Sequence, residues 1–376
     1  MEMGSRWIEF VIYWQDDKMK RILIVTNLFG NNRQGYDLAD CLRSAGHKVR
    51  LVQYTDTSEQ EVGNIGVRFV KPQGRFSKFH VFINGWRMFV ASIFCRKDIV
   101  ICIGKTNLFL CALYKILFGS MLVYYALEYV RYGWLSAAIV RCLVDKYIDV
   151  EESRLRRVAQ DLRINKPSMV VYNMPKLTER KPESGRLRAY LKKNFFATGD
   201  EKLIVYAGSY QKYACLENIV KASDSFPDNI WLVLMVSWGL PPSMAHSTKH
   251  CKIVPAQHGE EFFDWLSDAD CSLLPYEDKS DFNVENCSPQ KLFDCYYVGV
   301  PYLGSMKPLI KKVLSKYPNA GILCDFTNVE QIEERVRKAV MLKTANVSKI
   351  MHDLYRSELN YNRYWKRIQA FVCDEI

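Results

Sequence analysis

The stretch from Leu273 to Leu303 reads LLPYEDKSDFNVENCSPQKLFDCYYVGVPYL. Leu273 and Leu274 end an apolar run at Pro275, and a polar loop follows. Ser288 is predicted to cap a helix and Pro289 to take its first position, because a hydroxyl satisfies an orphan amide and proline has none to satisfy. Gly299 is predicted to stop that helix, and Val300-Pro301 leads into a strand. Strand, loop, helix and strand in this order form the repeating unit of a parallel sheet.

The same cycle runs outward in both directions. In the second half, short β-rich runs are predicted at Leu203–Gly208, Trp231–Val236, Lys252–Val254, Cys271–Leu274, Pro301–Leu303 and Gly321–Cys324, with helical patterns between them. In the first half, Ile22–Thr26 reads as a strand, Tyr36–Ala45 as a helix closed by Gly46, and Val49–Gln53 as the next strand. Further strands follow at Asp98–Ile103, Met121–Tyr125, Tyr147–Val150 and Met169–Tyr172, alternating with helices from Leu108, through Ala137–Leu143, and over Arg154–Leu162. A chain of 376 residues suits two domains. The expected architecture is α/β, with two Rossmann-like domains facing a cleft. The expected boundaries are an extension over 1–18, a first domain over 19–178, a linker over 179–199, a second domain over 200–355, and a C-terminal helix over 356–376 packing back on the first domain. Ligands of such sheets bind beyond the carboxyl ends of the strands.

Composition narrows the class. Apolar residues make up 49% and charged residues 25%, the balance of a folded soluble protein. Twelve cysteines occur without a C-x-x-C pair, mostly inside apolar runs, which reads as buried reduced thiols in a reducing compartment. Residues 107–127 are apolar, but Lys115 and Gly119 interrupt them, so they read as a buried helix and a core strand rather than a membrane span. No signal peptide is expected, and the fold is expected to begin at Met19. Charge is uneven: residues 1–193 hold 32 Lys and Arg against 18 Asp and Glu, and the remainder 20 against 23. A basic first half suggests an anionic partner there, and a solvated face without a partner is the plainer alternative. Arg75, Lys78, His80, Trp86, Arg87, Phe89, Arg96 and Lys97 form a basic and aromatic segment suited to an anionic lipid surface or, equally, to a packed helix.

The loop after the first strand, residues 27–35, carries Gly30 and Gly35 but no G-x-G-x-x-G, so a dinucleotide fingerprint is missing, as is a P-loop anywhere. A helix beginning near Gly35 offers its amides to a phosphate, although an ordinary βα turn fits the same residues. The later helix offers more. Amides at Ser288 to Gln290 suit a diphosphate, Lys291 and Asp294 share a face, and the Asp294 carboxylate suits two ribose hydroxyls.

At this point the chain resembles a family: the retaining glycosyltransferases of GT-B fold, family four, of the kind that build capsule and lipopolysaccharide sugars. Leu273 to Leu303 resembles their LLPY…SPxKLFEYxxxGxPxL block. Glu151-Glu152-Ser153-Arg154 resembles their veesR segment, and Tyr172-Asn173-Met174-Pro175 their N-x-P exit. Tyr206-Ala207-Gly208-Ser209 with Leu216-Glu217 resembles the opening of their donor domain, and Tyr124 to Tyr129 their Y-x-x-x-E segment. The likeness spans residues 19–340, and the 273–303 block is its specific part.

The resemblance implies a hexosyltransferase that needs no metal or cofactor and uses a UDP- or GDP-linked sugar as substrate. Its E-x7-E pair falls on Asn286 and Asp294; Asp294 keeps a carboxylate one methylene shorter, Asn286 has none, and Glu285 stands one residue out of register. The implied catalytic residues are Glu128 on the acceptor side and Lys291 and Lys212 on the leaving diphosphate. The candidate donor contacts are Gly35, Gly208, Ser209, His258, Asn286, Ser288, Pro289, Leu292 and Asp294, with Gly35 and His258 read from their own positions; His258 fits a helix-capping loop residue as well, and Glu128 an exposed acid at a helix start. Asp268-Ala269-Asp270 runs into a core strand and offers no metal site. The implied acceptor is a saccharide or a polyprenyl-diphosphate-linked sugar, the role surface polysaccharide synthesis, and the place cytoplasmic, peripheral at the inner membrane face. No nucleic-acid motif accompanies the basic charge. A nucleotide-sugar-binding protein without turnover and a nucleotide-sugar epimerase remain alternatives on the same architecture.

Overall fold

The computed structural model describes residues 19–26, 33–54, 66–70, 83, 85–87, 89–90, 97–176, 180–236, 239–244 and 246–373. The segment 1–18, the loop 27–32 with Gly30, and Arg75, Lys78, His80 and Arg96 lie outside the described residues.

The chain forms two compact units, and it returns to the first at its end. The first unit holds residues up to Tyr172 and again from Tyr364, the second Asn173–Arg363. In the first, β1 (Arg21–Thr26), α1 (Arg33–Ser44), β2 (Lys48–Tyr54), β3 (Gly66–Val70), β4 (Ile99–Ile103), α2 (Leu108–Phe118), β5 (Met121–Ala126), α3 (Trp134–Cys142), β6 (Lys146–Asp149), α4 (Glu152–Leu162) and β7 (Ser168–Val170) follow in turn. All strand pairs are parallel, in the order β3-β2-β1-β4-β5-β6-β7. Parallel strands are covered on both faces, which is why β4 reads as an unbroken apolar run and is buried throughout. Residues 107–127 fold mainly as α2 and β5, and no helix among the described residues is long and apolar enough to cross a membrane.

The second unit contains α5 (Arg186–Phe195), β8 (Lys202–Gly208), α6 (Leu216–Ser223), β9 (Ile230–Val236), β10 (Cys251–Val254), α7 (Gly259–Ser267), β11 (Cys271–Leu274), α8 (Phe282–Glu285), α9 (Gln290–Val298), β12 (Tyr302–Gly304), α10 (Pro308–Lys316), β13 (Gly321–Leu323), α11 (Val329–Ala339) and α12 (Ala345–Ser357). Its parallel sheet has the order β10-β9-β8-β11-β12-β13. The order reverses between β8 and β11, as it does between β1 and β4 in the first unit. Each reversal opens a crevice beyond the strand ends. The final helix, α13 (Asn362–Cys373), runs into the first unit, where Cys373 Sγ lies 3.3 Å from His47 Nε2.

Several acidic residues that look chemical in sequence are structural. Asp268 accepts amides of Gly185, Leu187 and Arg188 at the start of α5, and Asp270 pairs with Arg188 at 3.0 Å and Lys202 at 3.1 Å. Glu151 caps α4 through the amides of Ser153 and Arg154. Arg154, 3% exposed, lies 3.4 Å from the fully buried Asp149.

Candidate functional site

The second unit's crevice is built from two short segments. One is the end of β8, where Gly208 adopts φ +146 and Ser209 follows; the Tyr206 hydroxyl donates to the Ser209 carbonyl at 2.7 Å and pins this turn. The other is the start of α9. Pro289 occupies the N-cap position with no side-chain cap, so the helix starts one residue later than the sequence suggests. Ser288 does not cap it. Its hydroxyl instead accepts the Asn173 backbone amide at 3.1 Å, and its carbonyl accepts the Asn173 side chain at 3.0 Å. The Leu292 amide is taken by the Pro289 carbonyl at 3.1 Å and its side chain is fully buried. The first-turn amides of Gln290 and Lys291 remain without an intrahelical acceptor, at the positive end of the helix dipole.

Lys291 joins the two segments. Its ammonium stands 4.2 Å from the centroid of the Tyr206 ring and 6.0 Å from that of Tyr276. A Cβ placed on Gly208 would come within 2.7 Å of Nζ, so glycine is what lets the lysine reach the β8 turn. Burial lowers the Lys291 pKa to about 8, against the opposing charge of Asp294. A half-buried cation against two aromatic faces, on the first turn of a helix, is an anion site prepared in advance.

The wall behind it is a hydrogen-bonded loop. The Tyr276 ring stacks on Tyr213 at 5.5 Å. The Ser305 hydroxyl accepts the Tyr276 amide at 2.7 Å and donates to Glu277 at 2.6 Å, and Glu277 also accepts the Phe326 amide at 3.3 Å. Asp294 is 3% exposed on α9. Asn286 ends α8, 8% exposed, with its side-chain amide on the Phe282 carbonyl at 3.2 Å. The neighbouring Glu285 carboxylate is held by Lys307 at 2.5 Å.

The structure therefore gathers Gly208, Ser209, Lys291 and the 288–294 segment beyond the carboxyl ends of the central strands of one sheet. Lys212 is exposed in a single turn after β8, and its side chain makes no hydrogen bond or ion pair among the described residues. His258 is exposed at the N-cap position of α7, beyond β10, and does not cap it. Glu128 and Gly35 belong to the first unit. Glu128 is exposed on a bend after β5, and Gly35 is buried in the first turn of α1 rather than in the loop before it. Sequence reading assigned no role to Tyr206, Tyr276, Ser305 or Glu277. Their partners are far along the chain, and only the LLPY and Y-x-G-S patterns hinted at the first two.

No protein-family model and no curated protein sequence matches the chain. Solved structures do match in fold. Sucrose-phosphate synthase from Thermosynechococcus elongatus superposes with TM-score 0.70 at 11% identity, over 93% of this chain and 97% of that one. A glycosyltransferase from Rickettsia africae gives TM-score 0.71 at 9% identity, over 95% and 100%. HepE from Anabaena, in complex with UDP and glucose, gives 0.69 at 10%, over 93% and 98%. The chain has the fold these proteins share, the GT-B fold of two Rossmann-like domains.

Proposed function

We propose that this chain is a glycosyltransferase that binds a nucleotide-sugar at the β8–α9 crevice and passes the sugar to an acceptor hydroxyl with retention of configuration. The observation that carries the reading is Lys291. It is a half-buried cation against Gly208 and Tyr206, on the first turn of a helix whose leading amides have no intrahelical acceptors, at the place where the strand order reverses. In the reaction the bond from the anomeric carbon to the diphosphate oxygen breaks and its electrons leave with the diphosphate. The acceptor oxygen bonds to the same carbon on the same face, and its proton passes to the departing diphosphate. Lys291 and the amides of Gln290 and Lys291 stabilise the charge that develops, with the exposed Lys212 as a second cation, so the charge compensation comes from the chain itself rather than from a metal. Asp294 takes ribose hydroxyls, and Glu128 orients the acceptor.

The donor is a UDP- or GDP-linked sugar; UDP is the nucleotide bound by the Anabaena neighbour. The acceptor is a saccharide or lipid-linked sugar in surface polysaccharide synthesis, reached from the cytoplasmic face of the membrane.

One observation favours a second reading, a nucleotide-sugar-binding protein without turnover. Asn286 supplies no carboxylate, and Glu285 is occupied by Lys307. Thermal unfolding with UDP, GDP, ADP and CDP, followed by product analysis with the matching nucleotide-sugar, separates the two. A nucleotide at 100 times its Kd adds about 2.7 kcal/mol to stability. Transfer to an acceptor supports the transferase, binding without transfer supports the second reading, and no stabilisation by any nucleotide overturns both.

A further inference from the structure

The second unit carries another cavity, of about 650 Å3, with Tyr297 and Val298 at the far end of α9 from Lys291 in its wall. That volume is in the range of small-molecule sites. Its lining is cationic: Arg180, Lys181, Lys343, Lys349 and Arg356 stand against a single carboxylate, Asp353. Two of these cations are engaged. Arg180 pairs with Asp264 at 2.8 Å and Glu260 at 3.2 Å, and Lys343 donates to the carbonyls of Ser267 and Ala269 at 2.8 and 2.6 Å. The other three, Lys181, Lys349 and Arg356, are exposed, and their side chains make no hydrogen bond or ion pair among the described residues.

Their placement is not scattered. Lys349, His352 and Arg356 recur three and four residues apart on α12, so they share one face, and Lys181 comes from a different segment of the wall. The charges of Arg356 and Lys181 both reach His352, which burial and these cations hold below the usual imidazole pKa. Three unengaged cations less one carboxylate leave about two positive charges, the complement of a phosphate group. A simple carboxylate would neutralise only one of them.

We propose that this cavity is a second anion site, which binds a small phosphorylated molecule of sugar-phosphate size through Lys349 and Arg356 on one wall and Lys181 on the other. It does not depend on the donor reading, because it shares no side chain with Lys291, Gly208 or Tyr206. The test is isothermal titration of the full chain with glucose 6-phosphate, inorganic phosphate, and phosphatidylcholine vesicles doped with phosphatidic acid. Glucose 6-phosphate should bind the wild type and the Lys291→Ala variant alike. The Lys349→Ala/Arg356→Ala double variant and Lys181→Ala should each weaken binding, the double variant by more than about tenfold. Circular dichroism and thermal midpoints should show both variants folded, as expected for exposed positions. Vesicle binding with the same dependence on these three cations would keep the phosphate site and name a lipid headgroup as its source. Absence of binding by every phosphate probe, unchanged affinity in the double variant, or loss of binding in Lys291→Ala alone would overturn the proposal.

Discussion

The ammonium of Lys291 lies 4.2 Å from the ring centroid of Tyr206, although the two residues are far apart in sequence and on different elements. The contact joins the first turn of α9 to the end of β8 and fixes a positive charge at the reversal of strand order. Its burial disfavours the charged form, so the residue is held ready for an anion at a cost to the unliganded fold.

This gives a pH profile with a definite sign. The lysine pKa falls from 10.5 to about 8 in the folded chain. A bound diphosphate favours the charged form and raises it again, so binding takes up a proton in the alkaline range. Nucleotide affinity should be flat below about pH 7 and fall as pH rises above about 8, by up to roughly tenfold per unit. Lys291→Arg should flatten the profile because guanidinium stays charged. In the unliganded chain the charged lysine costs stability at and below its folded pKa, and that cost fades as pH rises from about 8 toward the ordinary lysine value. Lys291→Met should therefore lose nucleotide binding yet unfold no earlier than wild type at neutral pH. Titration calorimetry across pH and thermal unfolding read the two parts. An unchanged pH profile in Lys291→Arg would refute the assignment.

Gly208 makes a separate claim. An added Cβ would meet Lys291 Nζ at 2.7 Å and Cε at 2.9 Å, at φ +146. The clash is with the end of a flexible side chain, so the lysine moves aside rather than the sheet. Gly208→Ala should cost about 1–3 kcal/mol of stability, chiefly through the backbone conformation. Its larger effect should be on function, since displaced charge no longer meets the diphosphate: kcat falls roughly 10²- to 10³-fold, as for loss of one preorganised donor. Steady-state kinetics beside urea unfolding distinguishes the two. A variant that loses stability but keeps its kcat would show that the glycine serves only the turn.

How far the sequence reached follows from what each signal depends on. Parallel strands carry their own signature, so β4 was readable as a continuous apolar run, and Gly299 stops α9 in the left-handed conformation expected of it. The α9 region was readable as a helix with Lys291 near its start because Pro289 and Gly299 punctuate it locally. The cap was misread because a third residue decides it: the Asn173 amide takes the Ser288 hydroxyl from another segment of the chain. The aromatic seat of Lys291 was invisible for the same reason, since it depends on the placement of β8 beside β11. The acidic pattern at Asp268 and Asp270 could be set aside in sequence only as running into a strand; the structure supplies the reason, which is capping of α5 and pairing with Arg188 and Lys202.

Ser305 tests the loop behind the site. Fully buried, it bridges the Tyr276 amide and the Glu277 carboxylate, and Glu277 in turn holds the Phe326 amide. Ser305→Ala strands the half-buried Tyr276 amide and a half-buried Glu277 carboxylate oxygen, which should cost about 1–3 kcal/mol. Because Tyr276 carries part of the aromatic surface around Lys291, nucleotide Kd should also rise, while Ser305→Thr, which keeps the hydroxyl, should restore most of the affinity. Failure of threonine to rescue binding, with alanine folded, would separate the network from the site.

In the first unit the buried pair of Asp149 and Arg154 should behave as a matched charge. Asp149 is fully buried, and desolvation raises its pKa to about 6 despite Arg154 at 3.4 Å and the Val150 amide at 2.7 Å. A carboxyl whose folded pKa exceeds its unfolded value costs stability in its charged form, and that cost grows as pH rises from the unfolded value and is complete above the folded one. Arg154→Met removes the partner and pushes the carboxyl pKa higher still. The variant should lose about 3–5 kcal/mol near pH 7, where wild-type Asp149 is ionised and paired. Near pH 5, below the folded pKa of about 6, Asp149 is largely protonated in both proteins and the loss should shrink. Urea midpoints of the first unit's transition at the two pH values measure this directly. An equal loss at both would mean that Arg154 acts through packing of its aliphatic stem, not through its charge.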